Sequence, residues 1–256
     1  MELIATPAFW LSMVTLTFLE IILGIDNLLF VAIAISKLKG KEQDKARRVG
    51  IWGAMVLRIL MLSGIFLIIQ LDESPMFRIP AQWVEMLGMR DPHEIADVTA
   101  VTVKDLILLA GGLFLLWKGT GEIHASVHDE ADEHAEAKTG FLSVVVQLAV
   151  INIVFSLDSV ITAVGMTDIL EVMIGAVVLS TIVMAFAAKP LSDFIDRHPT
   201  MKMLALSFIL LVGVALVADG LGFHIPRGYL YFAIAFSLVV ELLNIRTRKK
   251  AESAKH

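Results

Sequence analysis

Residues 9–36 read FWLSMVTLTFLEIILGIDNLLFVAIAIS. The run is long enough to cross a bilayer, since about 20 mostly apolar residues in a helix suffice. Within it, Glu20–Asn27, EIILGIDN, sets two carboxylates and an amide deep in apolar sequence. A charge at that depth costs about 3 kcal/mol or more, so such groups persist where they pair, line a wet cavity or bind an ion. A second stretch has the same shape: Asn152–Ser159, NIVFSLDS. Aligned, Asp26 falls on Asp158, Asn27 on Ser159 and Glu20 on Asn152.

The rest of the chain is equally apolar. Of its 256 residues 57% are hydrophobic, and the mean hydropathy is +0.79. Apolar runs of spanning length recur, which predicts an all-α polytopic membrane protein and excludes an ordinary soluble domain. No cysteine is present, so disulfides and thiolate metal sites are excluded. The N-terminus lacks a basic segment and a small-residue cleavage site, so the first run is expected to stay as a span and not as a signal peptide.

Seven transmembrane helices are expected, at about 8–36, 48–71, 103–122, 141–166, 169–189, 201–219 and 228–246. Placing the connections on alternate sides puts 16 basic residues on one side and 4 on the other, with Arg58 left inside the second span. The positive-inside rule then predicts an outside N-terminus and a cytoplasmic C-terminus. In that orientation the first and fourth spans run in opposite directions. Residues 8–124 and 141–224 become the halves of an inverted 3+3 repeat, with 228–246 an additional C-terminal helix. Together 1–246 form one membrane domain, and 247–256 a basic cytoplasmic tail. Lys104 and Lys202 open the third and sixth spans, and Gly111, Gly112 and Gly213 lie within them. Inverted repeats commonly hold a binding site at their interface, near the midplane.

The candidate ligands are Glu20, Asp26, Asn27, Asn152, Asp158 and Ser159. Glu20 and Asn27 share a helix face, while Asp26 points about 120° away. Gly24 and, in the counterpart, Ser156 suggest a bent or unwound helix whose carbonyls join the ligands. Carboxylate, amide, hydroxyl and carbonyl oxygens suit a hard or borderline divalent ion such as Mn²⁺, Mg²⁺ or Ca²⁺. Met13 or Met166 would add a softer thioether, although packing is the ordinary role of methionine. Carboxylates that neutralise such an ion repel one another once it leaves, so a proton could take its place. The opposing reading is structural: Glu20 and Asp26 pair with Arg58 and hold helices together. Arg58 could equally serve as a built-in counter-ion in the empty state. Thr162, a turn beyond Asp158, and Glu241, near the cytoplasmic end of the last span, are weaker pathway candidates.

Other polar groups read as ordinary. Glu122–Glu136 carries His124, His128 and His134 among acids, but the spacing matches no closed zinc pattern and suits a solvated loop. Asp219 and His224 suit capping or solvation. Pro199 suits the first turn of a helix. Met76–Met89, with Trp83 after the breakers Pro75 and Pro80, is read either as a short interfacial helix or as an ordered loop.

FLEIILGIDN, the AMVLRILML run around Arg58, GGLFLLWKGTGEIH, INIVFSLDSVITAVGMT, DFIDRHPTMKMLALSFILLVG and HIPRGYLYFAIAFSLVVELLN together resemble the TerC family of inner-membrane proteins. The similarity is closest to its short stand-alone, YgdQ-like branch, and runs from about Phe9 to Arg246. The resemblance implies a seven-span fold in the bacterial inner membrane. For several family members it implies manganese export, or manganese delivery to secreted enzymes. By motif match it carries Glu20, Asp26, Asn27, Asp158 and Ser159 into the ion pathway. Many relatives carry a cytoplasmic CBS or transporter-associated domain after the last span. These 256 residues hold none, so regulation through one is not expected.

The leading expectation is a divalent-cation transporter exporting Mn²⁺ from the cytoplasm with proton return. It is not an enzyme and needs no resident cofactor. Its partners would be the bilayer, the metal ion, and either a second copy or secretion machinery, with no nucleic acid. A second reading is a membrane partner that delivers metal to secreted proteins without bulk flux. A third is an intramembrane aspartyl protease sharing a proton between two aspartates. The GxGD pattern of those proteases is absent, since the chain reads GID and SLDS.

Overall fold

The computed structural model describes residues 6–36, 38, 40–64, 75–86, 91–128, 140–167 and 169–253. Within these, the side chains of Asp26, Glu85, 92–94, Asp97, His128, Asp158 and 248–253 are outside the description. So are Lys37, Lys39, 65–71 of the second expected span, and residues 129–136 of the acidic histidine loop.

The described residues are helical nearly throughout. The elements run α1 (Pro7–Ile35), α2 (Lys41–Ser63), β1 (Pro75–Arg78), α3 (Ala81–Met86), α4 (Pro92–Thr99), β2 (Ala100–Thr102), α5 (Val103–His128), α6 (Phe141–Met166), α7 (Leu170–Arg197), α8 (Pro199–Gly220) and α9 (Arg227–Ser253). Six of these helices, α1 and α5–α9, are long and apolar enough to cross a membrane. The chain is therefore a multi-pass membrane protein.

Local chemistry sets the helix ends. Thr6 caps α1, its hydroxyl accepting from the Phe9 amide at 3.4 Å, and Pro7 takes the first turn, where no amide bond is needed. Pro199 opens α8 in the same way after the His198 cap. Thr102 and Asp105 form a reciprocal cap at the start of α5: Asp105 Oδ2 accepts from the Thr102 amide at 2.8 Å, and Thr102 Oγ1 from the Asp105 amide at 3.2 Å.

Several helices outrun the expected spans. α7 passes through Pro190 to Arg197, where 169–189 was expected. Pro190 removes an amide donor to the Phe186 carbonyl, and the Phe186 side chain is fully exposed nearby. A carbonyl near the membrane surface can bond water instead, so the helix need not stop. α5 and α9 likewise continue into polar sequence, to His128 and Ser253. Trp83 does lie in a short helix, α3. An antiparallel pair that was not expected, β1–β2, frames it, with Phe77 opposite Val101 and Arg78 opposite Ala100.

Three helix pairs build the bundle. α1 packs on α7 in parallel, with Met13 against Gly175 and Met184 against Gly24. α2 packs on α6, also in parallel, with Gly50 against Leu148 and Asn152. α5 crosses α8 antiparallel, with Gly112 against Gly213 and Leu109 against Gly220. α1 and α6 touch at the centre, and α9 packs on α8. Small residues at these crossings let backbones approach closely, the usual means of helix association in lipid.

Candidate functional site

The polar groups of the two matching stretches meet where α1 and α6 cross between α2 and α7. Glu20, Asn27, Arg58 and Asn152 are exposed by only 1%, 8%, 4% and 5%. Ser156, Ser159, Ser180 and Thr181 are also buried. The site has two levels, about 10 Å apart along α1, because Glu20 and Asn27 are two turns apart at 1.5 Å per residue.

At one level lies a cavity. Asn27 lines it from α1, Gly50, Met55 and Arg58 from α2, Asn152 from α6, and Thr181 and Met184 from α7. The space open to a water's centre is about 30 Å³, enough for a water or a bare ion. Asn152 Nδ2 donates to the Gly50 carbonyl at 3.3 Å and ties α6 to α2. Thr181 donates back to the Val177 carbonyl at 2.7 Å. Asn27 Oδ1 is buried and has no hydrogen-bond partner among the described residues. An unmet buried acceptor of this kind costs about 1–3 kcal/mol, a cost that a donor or cation at this position would relieve.

At the other level Arg58 Nη1 donates to Glu20 Oε2 in a buried ion pair between α2 and α1. Ser159 donates to the Ser156 carbonyl at 3.1 Å. Beyond this level, toward the start of α1 and the end of α6, packing is apolar: Phe9, Leu16, Leu62, Leu157, Val160 and Val172 belong to one buried cluster.

Of the expected ligands, the structure brings Asn27 and Asn152 to the cavity and gives Glu20 to Arg58. Ser159 is buried but bonds within its own helix. The backbones of Asp26 and Asp158 adjoin Asn27 and Ser159 within α1 and α6, and their side chains are outside the described set. Among the described residues, no three His, Asp or Glu side chains form a metal cluster. Thr162 is half-buried on α6. Glu241 stands apart on α9, half-buried and accepting from Asn244 Nδ2 at 3.3 Å.

Two local expectations change. α1 is an unbroken helix through Gly24, and α6 through Ser156. The space left by Gly24 is filled by the sulfur of Met184, which a Cβ there would meet. The glycine serves close packing and not unwinding. The methionines near the site are accordingly Met55 and Met184, while Met13 packs on Gly175 and Met166 is exposed. Thr181 was missed as well. Its signal was available: Ser180-Thr181 interrupts the apolar middle of 169–189.

Two ion pairs lie away from the site. Lys118 pairs with Glu122 at 3.2 Å one turn away. Asp219 pairs with Arg227 at 3.6 Å and accepts from the Ile225 amide, closing the α8–α9 turn.

The family profile described as "Integral membrane protein TerC family" matches residues 5–256. The chain belongs to the TerC family. Among its relatives, a "UPF0053 protein" of Haemophilus influenzae is 46% identical over 250 residues, spanning 97% of this chain and 98% of the relative. The "UPF0053 inner membrane protein YgdQ" of Escherichia coli K12 is 44% identical over 247 residues, 96% of this chain and 97% of that protein. The "UPF0053 inner membrane protein YoaE" of the same strain is 43% identical over 251 residues, 97% of this chain but 45% of that longer protein. No solved structure matches the TerC chain significantly.

Proposed function

We propose that this TerC protein is a divalent-cation transporter of the bacterial inner membrane, with Mn²⁺ efflux as its activity. It acts as a carrier and not as an enzyme. The observation that carries the reading is the Asn27 amide oxygen, buried without a donor among the described residues, in the wall of a cavity that Arg58, Asn152 and Thr181 also line. Membership of an integral membrane family, and relatives named as inner membrane proteins, support the location.

In this reading the cation enters from the cytoplasm and meets the Asn27 and Asn152 oxygens first. It then moves toward Glu20, with Asp26 and Asp158 supplying the remaining charge, and leaves outward as a proton returns. α2 is the seventh span: its apolar part begins near Gly50, and the sequence stays apolar through 65–69. The basic residues concentrated on one side support an outside N-terminus and a cytoplasmic C-terminus.

The helix pairing supports an inverted repeat of α1, α2, α5 with α6, α7, α8. Exchanging the halves turns the parallel pair α1–α7 into the parallel pair α6–α2, and returns the antiparallel pair α5–α8 to itself. A two-fold axis in the membrane plane does the same, and it would pass through the α1–α6 crossing where the cavity lies.

The test is Mn²⁺ movement by the purified chain in lipid vesicles. Wild type should move it, and Asp26→Ala, Asp158→Ala and Asn27→Leu should each reduce it at least tenfold. Equal flux from wild type and variants would remove the site assignment. Mn²⁺ binding without flux would favour metal delivery to a secreted partner.

A further inference from the structure

Arg58 touches both levels of the site. Its side chain forms part of the cavity wall with Asn27, Asn152 and Thr181, while its Nη1 donates to Glu20. Among the described residues, Arg58 thus joins the cavity wall to the carboxylate. On the far side lies the apolar cluster of Leu16, Leu62 and Leu157. A cation that moved from the cavity to Glu20 would have to take the place Arg58 now holds.

The geometry points to Arg58 as a tethered cation that exchanges places with the cargo at Glu20. The inference rests on the transport reading above and deepens it. Its physical basis is the high cost of an uncovered carboxylate in an apolar interior: removing one partner of a buried pair costs far more than the intact pair contributes. Glu20 is therefore covered by a positive charge at every stage, either by cargo or by Arg58.

The cavity offers the displaced guanidinium somewhere to go. Asn27 Oδ1 has no donor among the described residues and has the lone pairs to accept from it. Cargo first meets Asn27. When it advances to Glu20, Asn27 is vacated and receives Arg58. When it departs, Arg58 returns to Glu20, and the empty carrier resets with this carboxylate neutralised from within.

This arrangement makes Arg58 a competitor for binding and a requirement for reset, and the two roles separate experimentally. The probe is Mn²⁺ alone, with the full chain purified into phosphatidylglycerol–phosphatidylethanolamine vesicles. Free Mn²⁺ is measured by electron paramagnetic resonance, and net efflux is compared with Mn²⁺–Mn²⁺ exchange. Arg58→Gln is expected to bind Mn²⁺ at least tenfold tighter than wild type. It should retain exchange and lose net efflux at least tenfold. Arg58→Lys keeps the charge, but a compact ammonium holds a carboxylate less firmly than the guanidinium fork. It should bind Mn²⁺ severalfold tighter than wild type and retain net efflux, and it decides the matter if Arg58→Gln does not fold.

A purely structural Arg58 gives the opposite pattern. Binding and thermal stability would fall together in Arg58→Gln, and Glu20→Gln/Arg58→Gln would restore both. That result overturns the inference, as does a folded Arg58→Gln or Arg58→Lys that binds Mn²⁺ no more tightly than wild type. If wild type itself binds and moves Mn²⁺ in those experiments, the transport reading survives and only the exchange of places is lost. A wild type that holds no Mn²⁺ overturns both.

Discussion

The crossed helices α1 and α6 are flanked on two sides, and the sides are built differently. Toward α5 and α8 the packing is tight and dry. A Cβ on Gly112 would lie 2.8 Å from the Gly213 carbonyl and from the Val217 amide nitrogen, and one on Gly111 would lie 2.5 Å from Val154. Leu108, Leu115, Phe155, Leu206 and Val212 belong to one buried apolar cluster there. Toward α2 and α7 the same two helices face a cavity with four polar side chains in its wall, an ion pair, and an amide oxygen with no donor among the described residues. The contrast separates a side held by backbone contact from a side held by polar groups that can change partners. The first suits a fixed scaffold, and the second suits movement.

The largest effect should come from breaking the ion pair on the polar side. Glu20→Ala leaves a buried guanidinium without its carboxylate and should cost about 3–5 kcal/mol. Thermal melting of the purified protein in detergent reads this directly. Glu20→Gln/Arg58→Met, which removes both charges, should recover most of the loss. A Glu20→Ala protein that melts like wild type would mean that Arg58 is already served elsewhere, and the polar side would then be less dependent on this pair than described.

Next comes the dry side. Gly112→Val places a branched side chain against backbone atoms of α8, which cannot rotate away. Overpacking of this kind costs about 1–3 kcal/mol, and the upper end is expected here. The melting temperature should fall, and Mn²⁺ binding by the protein that remains folded should stay within about twofold of wild type. Weakened binding in the folded fraction would show that the two sides are coupled and that the scaffold assignment is wrong.

Asn27→Leu reverses the balance between stability and function. It replaces an amide whose oxygen has no donor among the described residues by an apolar group of similar size. Stability should hold or rise by up to about 1 kcal/mol, because an unmet acceptor is removed from the interior. Flux should nevertheless fall at least tenfold. A clear loss of stability would make Asn27 a structural group and would empty the cavity of its functional meaning.

Much of this contrast was legible in the chain itself. Charged and amide residues inside apolar runs marked Glu20, Asn27, Arg58 and Asn152 before any coordinates, because lipid makes such positions costly. The partner of each was not legible. Glu20 pairs with a residue 38 positions away and Asn152 bonds to a carbonyl 102 positions away, and helix periodicity does not say which helices become neighbours. Gly24 misled for a related reason. A glycine in a membrane helix permits either bending or close approach, and only the Met184 side chain across the interface decides between them. Thr181 and Met184 were passed over because hydroxyl and thioether groups are tolerated on any helix face.

The smallest prediction concerns Gly53, on the lipid-facing side of α2 between the cavity residues Ile51 and Ala54. A Cβ there meets nothing within 4 Å. Helix propensity alone should then make Gly53→Ala more stable by about 0.5–1 kcal/mol, seen as a small rise in melting temperature. The effect on transport distinguishes two ways α2 could carry Arg58 between Glu20 and Asn27. If the side chain swings on a rigid helix, Gly53→Ala leaves Mn²⁺ flux within about twofold. If α2 itself flexes at its glycine, the same substitution stabilises the protein and slows flux several-fold. The rigid helix is the expected outcome, because Gly50, one turn earlier, is pinned between the Asn152 amide and the Leu148 side chain.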